Sequence, residues 1–139
     1  MALNSRLERE RQDVARYLPG NTTLTPINGR DVWIFQKNTN FGIEFEIALY
    51  YDPDERGYCA QLVKPEIESE WKSAHVGHIF SDGVICFGGN NIRARPSLRE
   101  AFAKSCLWAE GIGAMIAARD SGNKIPFPFS INNSPGDVS

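Results

Sequence analysis

Between residues 43 and 50 the chain alternates strictly enough to fix one element. Ile43, Phe45, Ile47 and Leu49 fall on one side of a period of two, and Glu44, Glu46, Ala48 and Tyr50 on the other. That period belongs to a strand with one buried face, and such a strand needs sheet partners. Asp52-Pro53-Asp54-Glu55-Arg56-Gly57 has turn chemistry, and residues 58–63 read as the returning strand. Upstream, Val32-Trp33-Ile34-Phe35 is β-prone and flanked by Asn28-Gly29 and Asn38. Three strands at short spacing predict an antiparallel meander. Residues 64–80 read as mostly irregular, with a short strand around 75–80.

Helical periods bracket this β region. Leu3, Leu7, Val14 and Leu18 share one helical face, and Arg6, Glu8, Arg9, Glu10, Arg11 and Arg16 cover the others. Ser5 and Glu8 form a capping box that would start this helix, and Pro19-Gly20 ends it. A second, longer helix opens after Arg95-Pro96, with Ser97 and Glu100 as its capping box. Its apolar stripe runs through Leu98, Ala101, Phe102, Ser105, Trp108, Ala109, Ile112, Met115 and Ile116. Ser121-Gly122 supplies the stop. The Ile-Pro-Phe-Pro-Phe segment at 125–129 is too apolar for a free linker and should pack on the core. Residues 1–131 form one domain of α+β class, and the polar tail 132–139 is expected to be disordered.

Composition narrows the function classes. The 139 residues carry a formal net charge of −2, whereas a nucleic-acid footprint needs a basic excess. No apolar run approaches the ~18 residues of a membrane span. The first residues are charged rather than apolar, and the cysteine count is an odd three. Both features fit a reducing cytoplasm better than a disulfide framework.

The chemistry-bearing residues cluster around Ser81-Asp82-Gly83-Val84-Ile85-Cys86-Phe87. Cys59 lies in a β-prone strand and Cys106 in the long helix, and both read as structural. Cys86 is followed by Gly88-Gly89-Asn90-Asn91, which cannot be the interior of a regular element, so its thiol is expected to be exposed. Asn90 and Asn91 can offer amide donors to an oxyanion. His75 and His78, the two histidines of the chain, lie just upstream. A zinc site built from Cys59, His75, His78 and Cys86 has poor ligand spacing. No histidine follows Cys86, against a papain-like order, and Gly88-Gly89 lacks the phosphate-loop pattern. No metal or other cofactor is expected.

The order helix, antiparallel meander, irregular cysteine segment and long helix resembles the ubiquitin-conjugating enzyme (UBC-like) fold family, over roughly residues 3–120. The local match is Asp82-Gly83-Val84-Ile85-Cys86-Phe87, similar to the family's Asn or Asp, Gly, variable residue, Ile, catalytic Cys and Leu. Pro96 follows Cys86 by ten residues, the family's spacing from cysteine to the proline before the next helix. The chain also departs from the pattern. Val76-Gly77-His78 stands where the family has His-Pro-Asn, and Ala94 where it has tryptophan. The Tyr-Pro and Pro-Pro signatures between strands are absent, and Gly88 replaces a frequent acid. This resembles the divergent, compact bacterial members, which occur beside an activating enzyme and often in antiviral (anti-phage) defence.

The resemblance implies a cytoplasmic transferase with Cys86 as thioester nucleophile. Its partners would be a ubiquitin-like protein, an activating enzyme and a protein target, with no nucleic acid and no membrane. Thioester transfer needs an accessible sulfur, a donor for the oxyanion and a group that takes the amine's proton. His78 or His75 can serve as donor or base. The resemblance also implies that the first helix, through Arg6, Arg9 and Arg16, docks the activating enzyme. Two other readings stand beside this one. One is an inactive UBC-like module that holds a ubiquitin-like protein. The other is an unrelated α+β domain with a structural cysteine.

Overall fold

The fold is taken from a computed structural model that describes residues 2–88 and 91–129, and side chains from residue 5 onward. The expected disordered tail, Asn90 and the side chain of Leu3 lie outside the described residues. The chain is α+β: helix α1 (Ala2–Tyr17), strands β1 (Thr23–Ile27), β2 (Arg30–Asn38), β3 (Glu44–Asp52) and β4 (Gly57–Lys64), a short 3-10 turn (Ser69–Trp71), and helix α2 (Leu98–Asp120). The strands form one antiparallel sheet in the order β1-β2-β3-β4.

The alternating pattern at 43–50 works as expected. Trp33 stands opposite Leu49 and Leu49 opposite Ala60, while Phe35 stands opposite Ile47 and Ile47 opposite Leu62. This places one apolar row across three strands. Helix α2 covers it, with Trp108 edge-on to Phe45 at 5.8 Å and Phe102 edge-on to Phe35 at 5.0 Å. Phe35, Phe45, Ile47, Leu49 and Trp108 are fully buried. Burial of such side chains is the main favourable term in folding.

Strand β1 was not among the expected strands, and it carries Pro26 within an otherwise β-prone run. Asn28 and Gly29 both have positive φ, 53° and 77°, the geometry of a two-residue type I′ hairpin turn. The turn pairs Ile27 with Arg30 and Pro26 with Asp31. By alternation from the closing pair, Pro26 falls at a position whose missing N–H faces away from β2. The proline therefore costs the ladder nothing and blunts the free edge of the sheet.

Helix α1 differs from expectation in its start and its anchor. It begins at Ala2, so Ser5 lies inside the helix rather than at its start. Besides Leu7 and Val14, which pack against the core, it has a polar attachment to the sheet. The buried Glu10 carboxylate accepts hydrogen bonds from Trp33 Nε1 and Tyr58 OH, both at 2.8 Å. Arg6 stands 3.6 Å from the same carboxylate and lies over the Tyr51 ring. Burial and the bond to Glu10 both hold the Tyr58 phenol well above its ordinary pKa.

Helix α2 starts and stops where predicted. Ser97 caps it, its Oγ accepting the Glu100 N–H at 3.1 Å and donating to the Glu100 carboxylate at 3.1 Å. At the other end Gly122 takes φ +82°. Asn123 N–H then reaches Ala118 O at 2.8 Å and Gly122 N–H reaches Arg119 O at 3.0 Å, a Schellman closure. The chain turns back along α2, and Phe127 lies in the gap left by Gly111, where a Cβ would sit 2.2 Å from its ring. Phe127 packs on the core as expected, while Ile125 and Phe129 remain 36% and 37% exposed.

Candidate functional site

The Asp82-Gly83 turn lays the cysteine segment along β4. Gly83 has φ +89° and its N–H donates to Phe80 O at 2.9 Å. Asp82 accepts from Val84 N–H at 3.1 Å and is clasped by Arg93. Burial raises the Asp82 carboxyl, but the bonds from Arg93 and Val84 outweigh it and hold the group below the usual carboxylate range. From this turn Gly83 O accepts Leu62 N–H at 2.9 Å and Ile85 N–H reaches Ala60 O at 2.8 Å. Arg95 then exchanges two backbone bonds with Tyr58, at 2.7 and 2.9 Å. The otherwise open edge of β4 is thereby closed by the segment that carries Cys86. The short strand expected around 75–80 reduces to a single bridge, Ile79 to Ile85, after a turn.

Cys86 is placed against expectation. Its side chain is fully buried, and its Sγ–H donates to Gly88 O at 3.0 Å. Val84, Ile85, Cys86 and Phe87 are all buried, and Ile85 and Phe87 belong to the hydrophobic core. Cys59 is buried and Cys106 half-buried. Burial, helped at Cys59 by Asp52 and Glu55, pushes both thiols up to about 11.

The structure brings His78 to Cys86 through the backbone: Cys86 N–H donates to His78 O at 2.8 Å. His78 has φ +53° and packs edge-on against Phe127 at 4.7 Å. Its Nδ1 is buried and finds no hydrogen-bond partner among the described residues. His75 is exposed on the preceding turn. Asn91 is exposed, with φ +58°. Arg9 and Arg16 are exposed on α1, whereas Arg6 is engaged with Glu10 and Tyr51. Among the described residues no three His, Cys, Asp or Glu side chains gather as metal ligands, and no helix is long and apolar enough to cross a membrane.

Burial first, and His75 second, lower the His78 pKa from its ordinary 6.5. The unfolded chain therefore takes this proton first, and the contribution to stability falls as pH drops below ~6.5. His78→Asn removes the titration, and asparagine tolerates the left-handed backbone. Urea midpoints of parent and variant at pH 7 and pH 5 should show the parent losing more. An equal loss in both would contradict a half-buried neutral imidazole.

Two residues that bear on the site were missed. Lys104 on α2 is 1% exposed and its Nζ donates to Phe87 O at 3.4 Å, next to Cys86. Gln61 on β4 donates to Asp82 O at 3.1 Å and steadies the turn. A signal for Lys104 was present: it stands three residues after Ala101 and four before Trp108, inside the apolar stripe. No protein-family model matches this chain, and no match is found among curated proteins or among solved structures.

Proposed function

We propose that this chain is a ubiquitin-conjugating-like transferase that carries the C-terminus of a ubiquitin-like protein as a thioester on Cys86. The observation that supports this reading is the seat of Cys86: on the segment that closes β4, backbone-bonded to His78, and ahead of a helix capped at Ser97. In the proposed reaction the Cys86 sulfur attacks the acyl carbonyl of the activating enzyme's thioester. A new S–C bond forms, the old one breaks, and the activating enzyme's thiolate leaves. An amine or other nucleophile of the target then attacks the same carbonyl and expels the Cys86 thiolate, while its proton passes to a base. His78 is the residue proposed to donate to the oxyanion or take that proton, with His75 on the turn beside it. Arg9 and Arg16 are proposed to dock the activating enzyme, with Arg6 held in the α1 anchor. The family resemblance implies a cytoplasmic, bacterial setting in antiviral defence.

This chemistry requires Sγ to leave the Gly88 carbonyl and reach the surface. A second reading, an inactive module that binds a ubiquitin-like protein without a thioester, is favoured by that same burial. One experiment separates the two. Incubation with activating enzyme, ATP and the ubiquitin-like partner should give an adduct that a thiol reductant removes. Cys86→Ala should abolish it, while Cys59→Ala and Cys106→Ala keep it. An adduct that survives Cys86→Ala would overturn the assignment, and a folded parent that never charges would favour the binding module.

A further inference from the structure

Lys104 is almost fully buried on the face of α2 that meets the cysteine segment. A lysine is rarely buried unless acceptors meet its ammonium. The Phe87 carbonyl accepts from Nζ at 3.4 Å, and that carbonyl belongs to the peptide joining Phe87 to Gly88. The next carbonyl along, that of Gly88, takes the Cys86 thiol at 3.0 Å. On the other side Phe87 N–H donates to Ile92 O at 2.7 Å. Holding the planar Phe87–Gly88 peptide fixes where the Gly88 Cα sits, and the carbonyl that takes the thiol extends from that atom through the φ and ψ of a glycine, the most permissive residue.

We propose that Lys104 is a positioning residue for Cys86: its ammonium holds the Phe87 carbonyl, which anchors the base of the Gly88 turn over the thiol and sets how readily that turn opens to expose the sulfur. Lys104 acts through the backbone and touches no reacting atom. A neutral side chain of similar length would fill the same space without the charge-assisted bond. The meaning of this tie for acyl transfer rests on the thioester reading above; the tie itself does not.

The test is native alkylation with iodoacetamide, read by peptide mass mapping so that Cys59, Cys86 and Cys106 give separate rates. In the parent, Cys86 should label more slowly than the half-buried Cys106. Lys104→Met should raise the Cys86 rate about 10- to 100-fold, the factor that losing one charge-assisted hydrogen bond puts into a local opening equilibrium. Cys59 and Cys106 should change little. An unchanged Cys86 rate, or a common rise at all three cysteines, would overturn the proposal.

If Lys104→Met does not fold, ¹⁵N-lysine NMR of the parent carries the test. A slowly exchanging Lys104 ammonium signal, correlated across the hydrogen bond to the Phe87 carbonyl, supports the tie, and a fast-exchanging one overturns it. Neither measurement uses an activating enzyme or a ubiquitin-like protein. A failure here is thus distinguishable from a failure to charge.

Discussion

Replacing Glu10 by alanine should cost about 3–4 kcal/mol of stability, the sum expected for two hydrogen bonds to a buried charged group with both donors then left unpaired. The donors are Trp33 Nε1 and Tyr58 OH, each at 2.8 Å, and the carboxylate is 4% exposed. Arg6 would lose its partner as well. The loss is a large part of what a domain of this size commands, so the variant should unfold at a much lower urea concentration. Glu10→Gln keeps one acceptor oxygen and should fall between parent and alanine variant. Tyr58→Phe removes a single donor and should cost less than either. An alanine variant within about 1 kcal/mol of the parent, the worth of one ordinary hydrogen bond, would show that the carboxylate does not anchor α1.

Gly77→Ala should be nearly as damaging, for a steric reason. A Cβ at Gly77 would lie 2.3 Å from the Trp71 carbonyl oxygen and 3.1 Å from its carbon. These are backbone atoms and cannot swing aside like the end of a side chain. Gly77 O also accepts the indole N–H of the fully buried Trp108 at 2.8 Å, so displacing this turn strains a core contact of α2. Overpacking of this kind, with a buried N–H disturbed, should cost about 2–4 kcal/mol. Gly20→Ala is the control, since nothing lies within 4 Å of its added Cβ. Equal midpoints for the two variants would contradict the close approach at Gly77. The residue closes the turn that carries His75 and directly precedes His78, so its variant should also disturb the seat of Cys86.

The elements governed by periodicity and end chemistry were legible in the sequence. The alternation at 43–50, the Asp-Pro turn and the capped stripe of α2 each state their geometry locally, and each is found. What was hidden depends on tertiary context. Pro26 argues against a strand unless its missing N–H faces the open edge, and only the pairing reveals that. Ser5 and Glu8 have capping-box spacing, yet the helix extends past them to Ala2. Glu10 and Lys104 occupy apolar registers of their helices, at Leu7 + 3 and Ala101 + 3; Glu10 was read onto the charged face, and Lys104 was not singled out. Their burial follows from partners on other elements: Trp33 and Tyr58 for one, Phe87 for the other.

The reading of the site divided along the same line. Asp-Gly is a turn dipeptide by composition, and Gly83 does take the positive φ of the turn that lays the Cys86 segment along β4. The glycines beyond were read as a sign of exposure. The competing signal was the apolar run Val84-Ile85-Cys86-Phe87, which is the pattern of a buried short segment. That run won, and the Gly88 backbone folded back onto the thiol.

In the proposed transferase the Cys86 sulfur is the atom that receives the acyl group. The most direct measurement is peptide mapping of the charged protein under acidic, non-reducing conditions, which preserve a thioester. The account predicts the C-terminal remnant of the ubiquitin-like protein on the peptide containing Cys86, and its release by a thiol. A remnant found on Cys59, on Cys106 or on a lysine, with the Cys86 peptide unmodified, would contradict it.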